Sequence, residues 1–371
     1  MKRPLGLGFA FMLAGCASTA SSSIRWEPIL AWQGESPIER LKAGRPDASD
    51  PAMQVVSVDQ GGTVALVHFE GEKPRAEILL KNDGGLTGLC IADIDPSIPG
   101  EEIYAGGGHE MAAWPPKPGD GGVVLQIVPG PGGPRVRRIF EGEAYVHAMD
   151  RYGAGQLLVT DYVGRVFLLT PAPGDGPWPS KLLYSDPPSK DPEVPKIKDI
   201  AVLRDPSGAA AHEALVVMKT GRAVYIDIDR PEGARLVHEE PGGLSRAEAN
   251  ADGGAFVTGY TGRVLRFVRD GLGFRVDPIH LEGPDSGLRG VVQGRFPVAA
   301  GDAPLAIFGY MQVCRVLTPT FGAWDAVSIF RDDGKGHALL AADLFPGNDA
   351  DELVLAGFGN RITVLTVRRG R

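Results

Sequence analysis

The apolar positions of this chain fall in strand-length runs rich in Val, Ile, Leu and Phe, and Gly, Pro and Asp dominate the polar stretches between them. One unit repeats. An apolar run, a tight Gly-containing turn and a second apolar run make up MQVVSVDQGGTVALV from Met53, QLLVTDYVGRVFLL from Gln156, ALVVMKTGRAVYI from Ala214 and AFVTGYTGRVLRF from Ala255. The unit returns in PLAIFGYMQVCRVL from Pro304 and ELVLAGFGNRITVL from Glu352, and with a longer hinge between Glu102 and Val128. Self-similarity at a period of roughly 40–50 residues predicts a propeller or array of like units.

Each repeat carries four strand signals. In the second they start at Gly88, Glu102, Gly122 and Pro134, and Gly, Pro and Asp punctuate them. The first is apolar and small-residued (Leu89, Ile91, Ala92), as suits an inner strand packed on both faces. The last alternates Arg135, Arg137 and Arg138 with apolar residues, as suits an exposed edge. This is the pattern of a propeller blade with inner strand A and outer strand D. Inner-strand signals near Leu41, Ile91, Met149, Ala201, Ala249, Val292 and Ala341 predict seven blades, with six or eight as alternatives. The last repeat is one strand short, and a spare strand signal at residues 25–33 precedes the first. The expected fold is therefore all-β: a seven-bladed β-propeller of four-stranded antiparallel blades, closed by an N-terminal strand that completes the last blade. Such closure removes exposed sheet edges.

The N-terminus changes the picture of where this ring works. Lys2 and Arg3, a short apolar stretch from Leu5 to Met12, and Leu13-Ala14-Gly15-Cys16 read as a secretion signal too short to span a bilayer. The last four resemble a bacterial lipobox, which implies a signal peptide over 1–15, lipidation of Cys16 and a small-residue tether over 16–24. Residues 25–371 are expected to form the propeller domain. Ala17 after the Cys resembles the sorting pattern of Gram-negative lipoproteins held in the outer membrane, so the expected location is the cell envelope. Cys90 and Cys314 lie in apolar runs of different repeats and are read as buried free thiols. The formal net charge is −8, which argues against nucleic acid as a partner.

Asp93-Ile-Asp95 followed by Gly100-Glu101-Glu102, and the stretch DLFPGNDADELVLAGFG from Asp343, resemble the FG-GAP or VCBS-type repeats of integrin-like propellers. That resemblance implies the fold, and it implies A–B loops that can bind calcium through alternating acids. The candidate ligands are Asp93, Asp95, Asp343, Asp349 and Asp351. Both loops depart from a calcium-loop spacing, and Asx-turns are the expected role; no cofactor is expected, with calcium as the open alternative.

Other candidate chemistry lies on the opposite face. Three B–C turns present Gly-Arg at Arg165, Arg222 and Arg263, and the D–A connections add Lys196, Lys198, Arg246 and Arg289. Together they would give an acidic protein one electropositive face, suited to an anionic ligand or partner. The long B–C hinge of the second blade projects His109, Glu110, Met111 and Trp114, a loop with a candidate binding anchor. His147, His337 and His109 sit near the expected channel and could serve as acid–base groups or metal ligands, yet none of the seven histidines has HxxxH or HExxH spacing. A nucleophile elbow, a phosphate-binding loop and a haem attachment motif are all absent from the sequence. A Pro-rich stretch from Pro171 to Pro195 reads as an irregular surface connection.

The expected function is a membrane-anchored, non-catalytic binding or scaffold platform for an envelope protein or an anionic ligand. The alternative is an enzyme, a glycan hydrolase or lyase or a quinone-type dehydrogenase, with its chemistry at the channel mouth.

Overall fold

A computed structural model describes residues 24–109, 119–153, 155–187, 197–205, 207, 212–271, 273–297, 303–347 and 349–369. Cys16, Glu110, Met111, Trp114 and Lys196 lie outside the described residues. The strands form seven four-stranded sheets. Six are built from consecutive strands. The seventh joins Gly336–Ala342, Glu352–Gly357 and Arg361–Arg369 to the N-terminal strand Ile24–Gln33. In that closing pair, Trp26 stands opposite Val367 and Ile29 opposite Val364. The expected seven blades, their inner strands and the N-terminal closure are all present.

The apolar runs that gave the repeat its signature are the two middle strands of each blade. Gln54–Asp59 and Glu102–Gly107 are buried along their whole length, because both faces of a middle strand meet a neighbouring blade. With a side-chain period of two, Val55 packs toward the last blade while Val56 packs toward the second. The core accordingly divides into seven clusters, one at each junction between adjacent blades. Cys90 and Cys314 are buried free thiols within two of them.

Outer strands carry a second regularity. Each is interrupted by one extra residue: Leu79, Ile139, Leu183, Val237, Ile279, Ile329 and, in the closing strand, Ala31. All seven are aliphatic, and they are buried or packed against the core. A bulge re-aims one side chain and twists the strand, which both fills the blade's outer corner and spoils the edge as a template for pairing.

A further device joins the blades. The arginine at or near the start of the third strand reaches an acid just after the preceding blade's outer strand: Arg165 to Glu143 (3.0 Å), Arg222 to Asp186 (2.5 Å), Arg263 to Glu240 (3.2 Å), Arg315 to Glu282 and Arg361 to Asp332. Arg165 also pairs with Asp161 of its own blade at 2.6 Å.

Replacing Ile103, fully buried between the first two blades, with Ala should cost about 2–5 kcal/mol in denaturant unfolding. Val136→Ala on the exposed outer strand, where Val136 is 41% accessible, should stay within about 0.5 kcal/mol. Equal costs at the two sites would contradict this distribution of the core.

Candidate functional site

Every inner strand also contains one extra residue, always at its second position. Strand register shifts across Glu39, Thr87, His147, Lys198, Ser245, Arg289 and His337. All seven are polar and all are buried. Where the outer bulges turn aliphatic side chains into the blade, the inner ones gather polar side chains around the axis. Next in the chain come Arg40, Gly88, Ala148, Asp199, Arg246, Gly290 and Ala338, four small residues interspersed with three charged ones. Gly290 is required by packing: a Cβ there would stand 2.5 Å from Leu339 Cβ in the next blade.

The ring's hydrogen bonds define its protonation. Burial and then the surrounding cations push both His147 and His337 well below the usual imidazole range, so both are neutral. His337 Nδ1–H donates to Glu39 at 3.1 Å, while its Nε2 accepts from Arg289. Gln60 donates to the other Glu39 oxygen at 2.5 Å. Lys198 Nζ lies 2.8 Å from His147 Nε2, and burial reinforced by Arg289 and Arg246 pushes its pKa well down. His147 Nδ1, Ser245 Oγ and Arg289 Nε are buried without a hydrogen-bond partner.

The ring holds one carboxylate, that of Glu39, whose charge favours the charged forms of Lys198, Arg246 and Arg289 from beyond contact distance. Lys198, Arg246 and Arg289 are 3%, 5% and 3% exposed. Among the described residues, no carboxylate lies within ion-pair distance of any of the three. Arg246 is held by backbone carbonyls, of Ser245 at 3.2 Å and Lys198 at 3.4 Å; burial, then Arg40 and Arg289, push it down to about 9. Arg289 donates to the Tyr260 hydroxyl and stacks on Tyr260 and Tyr310, with centroids 5.0 and 5.7 Å away. Taking an ion out of water costs several kcal/mol unless a counter-charge is supplied.

On the B–C side the ring is roofed by aromatics from successive turns. Tyr162 meets His147 at 4.9 Å between centroids, and Phe358 meets His337 at 5.6 Å. On the other side a cavity of about 400 Å³ follows the axis. It is floored by Arg40, Arg246 and Arg289, and it reaches Arg151 and Arg204, exposed at the A–B end of the inner strands. Six cationic side chains and three carboxylates line it, an excess of positive charge inside a chain of net charge −8. Arg40 is matched by Asp199 at 2.9 Å. One tier further out, Lys42, Asp150 and Glu248 face the lumen. Burial, with Asp150 and Asp199 adding to it and Lys42 opposing, pushes the Glu248 carboxyl up to about 7. At Lys42, burial is outweighed by the carboxylates of Asp150, Glu248 and Asp199, which together hold the ammonium up.

The candidates proposed from sequence distribute as follows. Lys198, Arg246, Arg289, His147 and His337 converge on the axis. Arg246 and Arg289 open toward the A–B side, away from the Gly-Arg turns with which sequence had grouped them. Arg165, Arg222 and Arg263 are engaged at blade junctions. His109 is half-buried at the second blade's B–C turn.

The acid-rich A–B loops are internally bonded. Glu102 accepts from the amides of Ile94 and Asp95, and Glu352 from those of Leu344 and Phe345. Asp95 accepts from Ser97 and faces Arg137 at 3.6 Å, and Arg295 bridges Asp343 (2.9 Å) and Asp351 (2.7 Å). Asp93 and Asp349 lie in the same two loops. Among the described residues no group of three or more His, Cys, Asp or Glu converges as metal ligands would. Sequence reasoning missed Glu39, Thr87 and Ser245, and the lining residues Arg40, Lys42, Asp150, Asp199 and Glu248.

No family model matches the chain, and no curated protein matches it by sequence. Solved structures match by shape. The WD40 β-propeller domain of Doa1 gives a TM-score of 0.63 at 11% identity, over 93% of this chain and 97% of that one. Virginiamycin B lyase from Staphylococcus aureus gives 0.60 at 11%, over 93% and 99%. The β-propeller domain of Myceliophteria thermophila Cps50 (Swd1) gives 0.59 at 14%, over 91% and 99%. These likenesses establish the β-propeller fold and carry no activity across.

Glu248 supplies a pH test of the lumen. A carboxyl raised by folding keeps its proton longer in the folded chain, so its contribution is full below about pH 4.5 and is lost as pH rises through 7. Glu248→Gln, which cannot ionise, should therefore gain stability over the wild type on going from pH 4.5 to 8, by about 1–3 kcal/mol. Denaturant unfolding at the two pH values measures this; a constant difference would contradict the desolvation of Glu248.

Proposed function

We propose that this protein is a non-catalytic binding platform of the bacterial cell envelope, and that its propeller receives an anionic group in the central channel. The supporting observation is the pair Arg246 and Arg289, buried at the cavity floor with no carboxylate within ion-pair distance among the described residues. A fold that buries two guanidiniums at its axis with no carboxylate in contact gains when a ligand brings one. The cationic lining of an otherwise acidic chain would also draw such a ligand in. The anionic group belongs either to a small ligand or to an envelope protein docking on the A–B face.

Anchoring through a lipidated Cys16 and placement at the outer membrane are part of the same proposal, supported by the lipobox-like residues 13–16. So is the kinship of the blades with FG-GAP/VCBS-type repeats, supported by the shared loop geometry of Glu102 and Glu352. A fatty-acid label incorporated by the wild type and absent from Cys16→Ser is the result expected of the anchor. Equal labelling of both would remove it.

The anion reading is tested with sulfate as the probe. At a hundred times its dissociation constant, sulfate should stabilise the wild type by about 2.7 kcal/mol. Arg289→Met should match or exceed the wild type's stability without sulfate, and lose that gain. A variant that is destabilised yet responds to sulfate like the wild type would make Arg289 a structural residue and overturn the proposal.

One observation favours a second reading, an enzyme at the same floor: Glu248, near neutrality and facing the cavity, is placed as an acid or base. Turnover of a bound ligand that disappears in Glu248→Gln would replace the binding reading with this one.

A further inference from the structure

The cavity is charged in layers, and the layers have opposite character. Its floor carries an excess of positive charge: Asp199 pairs with Arg40 and accepts from the Ala247 amide, and among the described residues Arg246 and Arg289 have no carboxylate within ion-pair distance. Two residues further along the same strands, the balance reverses. Asp150 and Glu248, from the third and fifth blades, share the lumen with one ammonium, that of Lys42 from the first blade. Asp150 accepts from the amides of Arg151 (2.9 Å) and Val202 (2.8 Å). Among the described residues, neither the Glu248 carboxyl nor the Lys42 ammonium makes an ion pair or a hydrogen bond. The tier holds two carboxylates and one resident cation around the lumen.

The two tiers are separated by the step from Arg246 to Glu248, which along a strand is about 6.6–6.8 Å. Blades two and seven contribute no charged side chain to the wall. Their share is Leu89 and the run Ala338–Ala341. A ligand spanning both tiers is therefore met by charge at its two ends and by aliphatic surface along one side.

We propose that the channel takes a small zwitterion, its oxyanion on Arg246 and Arg289 and its ammonium between Asp150 and Glu248, the two joined by a short aliphatic spacer. This rests on the anion-receiving reading above and adds the second charge and its distance. The ligand's ammonium completes the outer tier beside Lys42, and its carboxylate or similar group completes the floor. The A–B end admits it past Arg151 and Arg204, and the aromatic roof closes the far end.

The test is calorimetric titration of the purified full-length protein at pH 8 with 6-aminohexanoate, hexanoate and hexylammonium. The amino acid should bind at least about tenfold more tightly than hexanoate, the worth of one well-placed ion pair. In Glu248→Gln and in Asp150→Asn the ratio of the two affinities should fall to about one. Shortening the probe to glycine should remove the advantage, because its charges cannot reach both tiers. Hexanoate binding as tightly as 6-aminohexanoate to the wild type would overturn the zwitterion and leave the anion site standing. Failure of every carboxylate to bind, or hexylammonium binding as tightly as the amino acid, would overturn the anion reading as well.

Discussion

The structure depends on one extra residue in each of seven inner strands. An inserted residue cannot join the ladder, so its side chain leaves the blade face and turns to the axis. Seven such side chains meet buried at the axis, and their identities decide what the axis is. Here they are Glu39, Thr87, His147, Lys198, Ser245, Arg289 and His337. Glu39 accepts from His337 and Gln60, His147 and His337 are held neutral, and among the described residues Arg289 and the neighbouring Arg246 have no carboxylate within ion-pair distance.

The rest of the ring can be understood as what makes that axis affordable. Seven apolar clusters lie at the blade junctions, the outer bulges fill the blade corners with aliphatic side chains, and arginine–acid contacts clasp five successive junctions. Stability is distributed around the circumference, so strain at the centre is tolerated. The gain is a tube whose charge pattern is held by strands rather than loops, and which presents a preorganised floor to a ligand.

Blade number, strand order and closure were legible because they rest on alternation and on Gly-containing turns, which repeat in the chain. The inner-strand starts Ile38-Glu39-Arg40, Leu86-Thr87-Gly88, Val146-His147-Ala148, Ile197-Lys198-Asp199, Leu244-Ser245-Arg246 and Leu288-Arg289-Gly290 share an apolar–polar step that aligned repeats display. That step was the available signal for the ring, and it points to Glu39, Thr87 and Ser245 as readily as to Arg289. The direction of access was not legible. It depends on Tyr162, Tyr260, Tyr310 and Phe358 folding over the ring from separate turns, a non-local arrangement that no single repeat encodes. The same holds for Arg165, Arg222 and Arg263, whose partners Glu143, Asp186 and Glu240 come from the blade before. A Gly-Arg turn looks alike whether its arginine is free or clasped.

The most direct test of the anionic site is to see an anion in it. Crystals soaked in selenate and recorded at the selenium edge should show an anomalous peak at the channel floor, within hydrogen-bond reach of both Arg246 and Arg289, and none there in Arg289→Met. A floor that is well ordered in the wild type and empty of selenate, with peaks confined to the outer surface, would contradict the account.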